Sequence, residues 1–464
     1  MMNRSKSSPM EAICQARPAG YHALHVKEES RGPHGPMKAD AGRDGQERGP
    51  LSRRSMVIAA FSTIVEWYDF TLYLYLATVL SRVFFGGGEG SLSVTLGGFA
   101  VAYLMRPLGA AVFGHVGDRY GRRRMMLLSM ALMTAAMLAT AAMPTYASIG
   151  AASGWLLLGL RCVMAFSVGG EYTGVVAYLM EGAHRRRRGL VTSSAAAASE
   201  LGGLLAAGVS ALVVNALAPA ALDAWGWRIP FLFGAGLAGA VLLARATLEE
   251  SPEFERQVVH RTVPERPLRL VLTRHRAAIG RGFAISALGS ITYYVGITYV
   301  PAFVTESGVM AESEALWLST AAAFLVILVT PFIGALSDRI GRRPVLLGVG
   351  ALAVLLPAAS FAAMGEGSYG AALIGALLLA ALGGAVSAVG AVATAEQFPG
   401  EGRLSGLALG ATAATAIFGG LAPFVAQLLV KATGWQAVPG VMIAIVAIGA
   451  LPVFLRMPET RPTR

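Results

Sequence analysis

The sequence predicts an all-helical (all-α) membrane protein, with twelve transmembrane helices in two pseudo-symmetric six-helix bundles. Three observations carry that reading. The 464 residues are 55% hydrophobic and only 14% charged, with a mean hydropathy of +0.58, too apolar for a soluble globular chain of this size. Twelve apolar runs are long enough to cross about 30 Å of hydrocarbon as helices. Finally, the stretch GHVGDRYGRRR at 114–124 returns as GALSDRIGRRP at 334–344, so that Asp338 follows Asp118 by 220 residues and the flanking hydropathy returns with it. This is one membrane bundle written twice.

Taken in order, residues 1–50 are polar and rich in Gly, Pro and charge, with no apolar run that would serve as a signal-peptide core or a span. Residues 1–55 are expected to form a disordered cytoplasmic tail, with translation starting either at Met1 or near Met37. Runs at 56–84, 92–114, 125–143, 150–180, 190–216 and 228–247 make an N-terminal bundle over 56–248. Run three carries Met125, Met126, Met130, Met133 and Met137, which either face lipid or fill gaps. Run five spaces Gly202, Gly203 and Gly208 as close helix approach in a membrane requires. The connection at 249–276 contains Pro252, Pro264 and Pro267, which exclude one long helix. Its end, PLRLVLTRHRAAIGRG, alternates basic and apolar residues; it is either a segment lying on an anionic leaflet or a solvated linker made basic by topology. Runs at 277–304, 315–336, 345–363, 369–394, 405–430 and 437–456 complete a C-terminal bundle within 277–464, ending in a short cytoplasmic tail.

The net charge of +11 does not point to nucleic acid, because the arginines follow the membrane. Arg119 and Arg122 to Arg124, Arg185 to Arg188, six arginines from Arg256 to Arg276, the group Arg339, Arg342 and Arg343, and Arg403 occupy every even connection, while the odd ones carry almost none, Lys431 being a near-edge exception. The even loops and both termini are therefore assigned to the cytoplasm. Cys14 and Cys162 lie far apart in unlike settings, so neither a disulfide framework nor a metal site is implied.

The apolar runs also hold charges that they should not: Glu66 and Asp69 in run one, Arg106 in run two, Arg161 and Glu171 in run four, Glu200 in run five. Each costs about 3 kcal/mol at mid-membrane, roughly 18 kcal/mol together, unless they face one another or a water-filled cavity. Four acids against two arginines leave a deficit of two positive charges, so at least one carboxyl is expected to hold a proton for part of a cycle. Glu66, Asp69 and Tyr73 stand at i, i+3 and i+7 on one helical face. Arg106 and Arg161 each offer a fork suited to a carboxylate. The second half has no charge deep in a run; Tyr293, Tyr294, Thr298 and Tyr299, just before Pro301, either pack or hydrogen-bond a solute. No nucleophile, base and orienter occur together, so an enzyme is not expected. A GxxxxGK[ST] phosphate loop is absent from the sequence.

The repeated loop has a reading of its own. Asp118 ends a helix, Gly121 permits a tight turn, and Arg122 begins the next helix. An acid there reaches a cation or a helix N-terminus of the other bundle only while the two are closed on that side. The candidates for such a gate are Asp118, Arg119, Gly121 and Arg122, and their counterparts Asp338, Arg339, Gly341 and Arg342. A second element joins them, since Glu181 and Arg188, seven apart, recur as Glu396 and Arg403. The alternative is that these residues only fix topology.

The paired loops resemble the signature of the major facilitator superfamily. Further strings narrow the resemblance: VEWYDFTLY at 65–73, LMRPLGA at 104–110, RCVMAFSVGGEY at 161–172, WGWRIPF at 225–231, ESPEF at 250–254 and TYYVGITYVP at 292–301. Together they look like the metabolite:proton symporter family, which includes proline/betaine, citrate and 2-oxoglutarate carriers. The resemblance implies the major facilitator fold, alternating access, and a loop that acts as a latch favouring the outward-facing state. It also implies proton coupling through an acid on helix one and an arginine on helix four, which are Asp69 and Arg161 here, with Glu66, Glu171 and Glu200 as the next acids. Substrate contacts are then expected from Arg106, Arg161, Tyr73, Tyr293, Tyr294, Thr298 and Tyr299. The expected function is symport of a small carboxylate-bearing or zwitterionic metabolite with protons. No cofactor is expected beyond the proton gradient, no metal and no nucleic acid; the partners are solute, protons and lipid bilayer. The chain is expected to act as a monomer in a bacterial-type plasma (inner) membrane. A proton-driven exporter of the same fold remains an alternative, although SELGGLLAAG at 199–208 lacks the glycine-proline signature usual on helix five of exporters. A non-transporting membrane sensor is the other.

The topology is open to direct test. With Cys14 and Cys162 replaced by serine, an Arg187→Cys chain should resist an impermeant thiol reagent outside intact cells and react once they are permeabilised. Labelling of intact cells would overturn the helix count.

Overall fold

A bilayer offers the backbone no water to bond, so an apolar chain must satisfy its own amides. The computed structural model, which describes residues 51–88 and 90–461, does this with helices alone among the described residues. The expected tail, its alternative start at Met37 and Cys14 lie outside the described residues, except that 51–55 are already ordered. The first helix begins at Arg53, where the Ser52 side chain accepts from the Ser55 amide, and the buried Leu51 donates its amide to the Gly182 carbonyl at 3.0 Å.

Among the described residues ten helices are long and apolar enough by themselves to cross a membrane. In order they are helix three (Arg122–Ala142), four (Ala152–Gly182), five (Arg185–Ala216), six (Arg228–Arg245), seven (Arg276–Glu306), eight (Glu314–Ile340), nine (Arg342–Gly365), ten (Tyr369–Glu396), eleven (Gly400–Thr433) and twelve (Val438–Arg456). The first two expected crossings are of another kind, each a pair of helical segments separated by one leucine. Helix one is Arg53–Tyr75 and Ala77–Phe85 around Leu76; helix two is Ser91–Tyr103 and Met105–Tyr120 around Leu104. Glu66, Asp69 and Arg106 lower their apolarity, and Pro107 lacks the amide that would bond the Tyr103 carbonyl, which is where helix two breaks. At 1.5 Å per residue each pair still extends roughly 45 Å. The crossings therefore number twelve.

Helices one, three, four, five and six share a core around Tyr68, Leu72, Met133, Met137, Trp227 and Phe231, and helices seven to twelve share another around Leu288, Phe303, Phe361, Leu379 and Phe454. The methionines of helix three are all buried, so they fill gaps and do not face lipid. Helix five packs against helices eight and ten, and helix two against helix eleven, which joins the two sets. At the arginine-rich end a third cluster draws on both, with Phe113, Met125 and Tyr178 against Phe398, Leu404 and Leu407. There helices five and eight approach so closely that a Cβ on Gly189 would lie 2.5 Å from the Gly334 carbonyl oxygen.

The connection at 249–276 folds as two short helices, Pro252–Val259 and Pro267–Arg274, each with proline in its first turn, where the missing amide does no harm. The second turns Val271 into the protein and leaves Arg269 and Arg274 exposed. Helix seven carries a π-turn at Tyr294–Thr298, and helix eleven carries two, at Ala408–Thr412 and Ala416–Leu421.

Packing of helix five on helix one yields a stability prediction. A Cβ on Gly202 would run into the Ile64 carbonyl oxygen and lie 3.0 Å from the Tyr68 amide, whereas one on Gly208 meets open space. Gly202→Leu should destabilise the protein by about 3 kcal/mol, the upper end of overpacking, and Gly208→Ala should not; thermal unfolding of the purified protein in detergent would read both.

Candidate functional site

Between the two sets of helices lies a cavity of about 200 Å³. Helix one lends it Glu66 and Trp67, helix two Tyr103 and Arg106, helix four Tyr172, helix five Glu200, and helix seven Tyr293 and Tyr294; hydroxyls of Ser290, Thr412 and Thr415 complete one wall. The Arg106 guanidinium lies 4.6 Å from the Tyr103 ring centre and 5.1 Å from that of Phe70, a cation–π setting that holds the charge without using its donors. Two hydrogen bonds cross the cavity between helices of the two sets. Tyr293 donates its hydroxyl to Glu200 at 2.8 Å, and the hydroxyls of Tyr103 and Tyr294 meet at 2.9 Å. A smaller pocket of about 30 Å³ shares Glu66, Tyr103 and Arg106 with the cavity and is lined on its far side by Asp69 and Arg161; it has room for about one water.

The buried charges sort into pairs. Arg161 donates both terminal nitrogens to Asp69, at 2.8 and 2.9 Å, and lies over the Tyr73 ring. Glu171 pairs with Arg245, which also donates to Ser62 and to the Met126 carbonyl, while Ser129 donates to Glu171 at 2.5 Å. Glu66 comes no nearer than 3.8 Å to Arg106.

Several expected site residues lie elsewhere. Glu171 belongs to the closed knot with Arg245 and does not line the cavity. Tyr73 is buried among helices one to six and donates its hydroxyl to the Thr95 carbonyl at 3.1 Å; seven residues beyond Glu66 is two turns of rise, too far along the helix to reach the same cavity. Beyond Tyr294 the π-turn inserts an extra residue, so helical spacing misplaces the side chains after it. Thr298 is exposed outside the cavity, and Tyr299 turns into the second core, where it donates to Gln427. The missing partner was Arg245, inside run six only two residues from its end and flanked by apolar neighbours; that position was the available signal. With it, four acids face three arginines and the deficit of positive charge is one.

The arginine-rich end is closed by acids on helix N-termini of the opposite set. Asp118 accepts from the amides of Leu404 and Ser405 at 3.2 and 2.8 Å; Asp338 accepts from those of Gly189 and Leu190 at 2.8 and 2.9 Å. The acid–arginine repeat exchanges partners across the divide, Glu181 with Arg403 and Glu396 with Arg188, the latter at 3.9 Å. Arg122 holds Glu181 at 3.0 Å and reaches the Gly400 carbonyl at 2.8 Å; Arg342 holds Asp338 at 2.7 Å and Glu396 at 3.1 Å. Gly121 and Gly341, at φ of +106° and +111°, make the turns. Two gate candidates take no part: Arg119 donates to the Pro264 carbonyl at 3.3 Å and Arg339 is exposed, because the helices that they end turn those positions outward.

Sequence reasoning missed a further pair. Glu250 accepts from the amides of Arg122 and Arg123, at 2.9 and 3.3 Å, and Glu459 from those of Arg342 and Arg343, both at 2.9 Å. Each caps the helix that opens with the arginine pair, and ESPEF and PET, just beyond helices six and twelve, were the signal. Burial lifts the Glu250 carboxyl above its ordinary range despite its donors; at the more open Glu459 burial is outweighed by the donors, which hold it below.

Residues 55–264 match the family model for the sugar (and other) transporter family, and residues 309–464 that for the major facilitator superfamily. The chain is similar to the alpha-ketoglutarate permease of Escherichia coli, at 34% identity over 406 residues, covering 87% of this chain and 93% of that one. It is 32% identical over 421 residues to the proline/betaine transporter of Escherichia coli (88% and 84% covered), and 32% identical over 391 residues to the citrate-proton symporter of Klebsiella pneumoniae (83% and 87% covered). In fold it is similar to the proton:xylose symporter XylE bound to 6-bromo-6-deoxy-D-glucose, with a TM-score of 0.74 at 19% identity over 88% of this chain and 96% of that one. It is likewise similar to the human organic anion transporter, with a TM-score of 0.62 at 19% identity, covering 89% of this chain and all of the other.

The buried pairs differ in what their loss should cost. Glu171→Gln leaves the Arg245 charge without its acid in a water-free site, for an expected loss of about 3–5 kcal/mol. Asp223→Asn, in the exposed pair with Arg82 at 2.8 Å, should lose under about 1 kcal/mol. Thermal unfolding in detergent separates the two, and similar losses would mean that the Glu171 site is wet.

Proposed function

The chain belongs to the major facilitator superfamily, and from that premise we propose that it is a proton-coupled symporter importing a small metabolite that carries a carboxylate or is a zwitterion. The observation that carries this reading is Arg106, whose guanidinium faces the cavity with no hydrogen bond among the described residues while aromatic rings hold it in place. Such a fork gives a carboxylate charge-assisted bonds about twice as strong as neutral ones. Glu200 and the faces of Trp67 and Tyr293 offer a cationic end its complement. The names of the relatives, which include carriers of alpha-ketoglutarate, proline and betaine, and citrate with protons, support the same range of solutes.

The geometry supports an alternating-access cycle. The cavity lies at the divide between the two helix sets, as alternating access requires, and the sealed arginine-rich end, read as cytoplasmic by the positive-inside rule, leaves the solute to enter from the other side. Tyr103–Tyr294 and Tyr293–Glu200 must give way as the sets move. At the cytoplasmic end the carboxylates of Asp118 and Asp338 must leave the opposing helices before release. Asp69, bound through both carboxylate oxygens by Arg161, is the acid assigned to carry the coupled proton when that pair separates; the small pocket links it to Glu66 and the cavity. One positive charge moving inward across about 150 mV releases roughly 3.5 kcal/mol, enough for a few-hundred-fold accumulation. In this reading the coupling ion is the proton, no cofactor takes part, and the chain works as a monomer in a bacterial inner membrane with both termini cytoplasmic.

Proteoliposomes decide it. Offered labelled 2-oxoglutarate, citrate, proline and glycine betaine under an inward proton gradient, the protein should accumulate at least one, and an uncoupler should release it. Asp69→Asn should abolish accumulation while preserving pH-independent exchange. Uptake of none of the four, or preference for an uncharged sugar, defeats the reading; an Asp69→Asn carrier that still accumulates solute moves the coupling acid elsewhere.

A further inference from the structure

Arg161 and Arg245, both buried, are doubly committed, to Asp69 and to Glu171. Arg106 is not. Its nearest acid oxygen, Oε1 of Glu66, is 3.8 Å away, too far for a hydrogen bond. Glu66 is in turn only 3% exposed, accepts no hydrogen bond among the described residues, and has its Oε2 buried without a partner, as is the indole nitrogen of the adjacent Trp67. All three residues line the cavity.

The charges facing Glu66 leave little else to satisfy it. They are Arg106 from helix two, Glu171 from helix four, Arg245 from helix six and Asp69 on its own helix, with Tyr172 and Tyr294 as neutral neighbours and Glu200 across the cavity. Asp69, Glu171 and Arg245 are bound in pairs, and Glu200 already has the Tyr293 hydroxyl as a donor. A buried carboxylate that accepts no hydrogen bond and has the facing cation Arg106 beyond hydrogen-bond reach at 3.8 Å is a costly form; the neutral acid is less so, and it gains an O–H to donate.

We propose that Glu66 in its protonated form and Arg106 make up one receptor for the solute carboxylate. The guanidinium supplies N–H donors from one side and the acid supplies its O–H from the other, so the carboxylate binds only together with a proton. The deprotonated acid would oppose the solute with both charge and lone pairs. Symport then begins at the binding step, before Asp69 acts. This inference rests on the proposed function, which supplies the carboxylate. It divides the two acids of helix one: Glu66 sets the pH dependence of binding, and Asp69 that of accumulation.

The test uses the full chain in proteoliposomes with 2-oxoglutarate and glycine betaine as probes, binding being measured from pH 5 to 9. In the wild type the dissociation constant should rise about tenfold per pH unit above the titration of Glu66, the signature of one proton bound with the solute. In Glu66→Gln the amide N–H replaces the O–H, so binding should stay within about threefold of the wild type's low-pH value and lose its slope. Arg106→Gln should weaken binding at every pH. A full slope in a Glu66→Gln protein overturns the proposal. A second readout needs no solute: infrared titration of the ligand-free protein should show a protonated-carboxyl carbonyl band that Glu66→Gln removes, and identical spectra of the two proteins equally overturn it. Failure of the wild type to bind either probe counts against the proposed function, while the infrared comparison still decides the state of Glu66.

Discussion

A charge inside an apolar bundle must find a partner or face water, and the arrangement of this protein follows from how seven such charges are settled. Left alone, each would cost about 3 kcal/mol on insertion scales. Asp69 with Arg161 and Glu171 with Arg245 settle four of them inside helices one to six. Buried pairs of this kind add little net stability against an apolar core of the same volume; what they do is fix where helices one, three, four and six stand. The remaining three, Glu66, Glu200 and Arg106, have no such closed solution and collect where the two helix sets meet. The cavity is the place at which the charge balance of the first six helices is left open.

The same rule operates at the arginine-rich end, where four carboxylates meet four helix N-termini. Glu250 and Glu459 cap helices of their own set. Asp118 and Asp338 cap helices of the opposite set, and Glu181–Arg403 and Glu396–Arg188 span the same divide. A carboxylate on a helix N-terminus contributes up to about 2 kcal/mol in partly buried geometry, and a partly exposed ion pair about 1 kcal/mol. Two of each come to roughly 6 kcal/mol. That is close to the 5.5 kcal/mol that shifts a two-state equilibrium from 1:99 to 99:1, so on the proposed function these contacts would be strong enough to bias the carrier toward one state and weak enough to release.

The large features were legible because each depends on composition or period. Apolar runs announced the helices, and the repeated Asp118 and Asp338 segments the twofold plan. Asp69 and Arg161 could be paired in advance by resemblance alone. What sequence left hidden depends on where a backbone bends or how far a side chain reaches. Arg245 was passed over because it stands at the edge of an apolar run, yet its long stem carries the guanidinium inward to Glu171. Thr298 and Tyr299 were misplaced because a helical wheel assumes 3.6 residues per turn and the π-turn after Tyr293 breaks that count. Glu250 and Glu459 act through backbone amides of residues more than a hundred positions away, and no local pattern records such a partner.

The unequal distribution of charge has a mechanical meaning on the proposed function. Glu66, Asp69, Arg106, Arg161, Glu171, Glu200 and Arg245 all belong to helices one to six, while helices seven to twelve bring hydroxyls and π-turns to the cavity. Breaking a buried ion pair by withdrawing one partner costs about 3–5 kcal/mol, whereas a neutral hydrogen bond contributes about 1 kcal/mol net and one to a charged group about 1.5–3. Had an ion pair joined the two sets across the cavity, each cycle would have had to overcome the larger sum in the middle of the membrane. The hydrogen bonds that cross there among the described residues are Tyr103 to Tyr294 and Tyr293 to Glu200, and a solute or water can replace either. Around the cavity the ion pairs stay within helices one to six, and on the proposed function the hydrogen bonds that span the divide there are ones that can be exchanged.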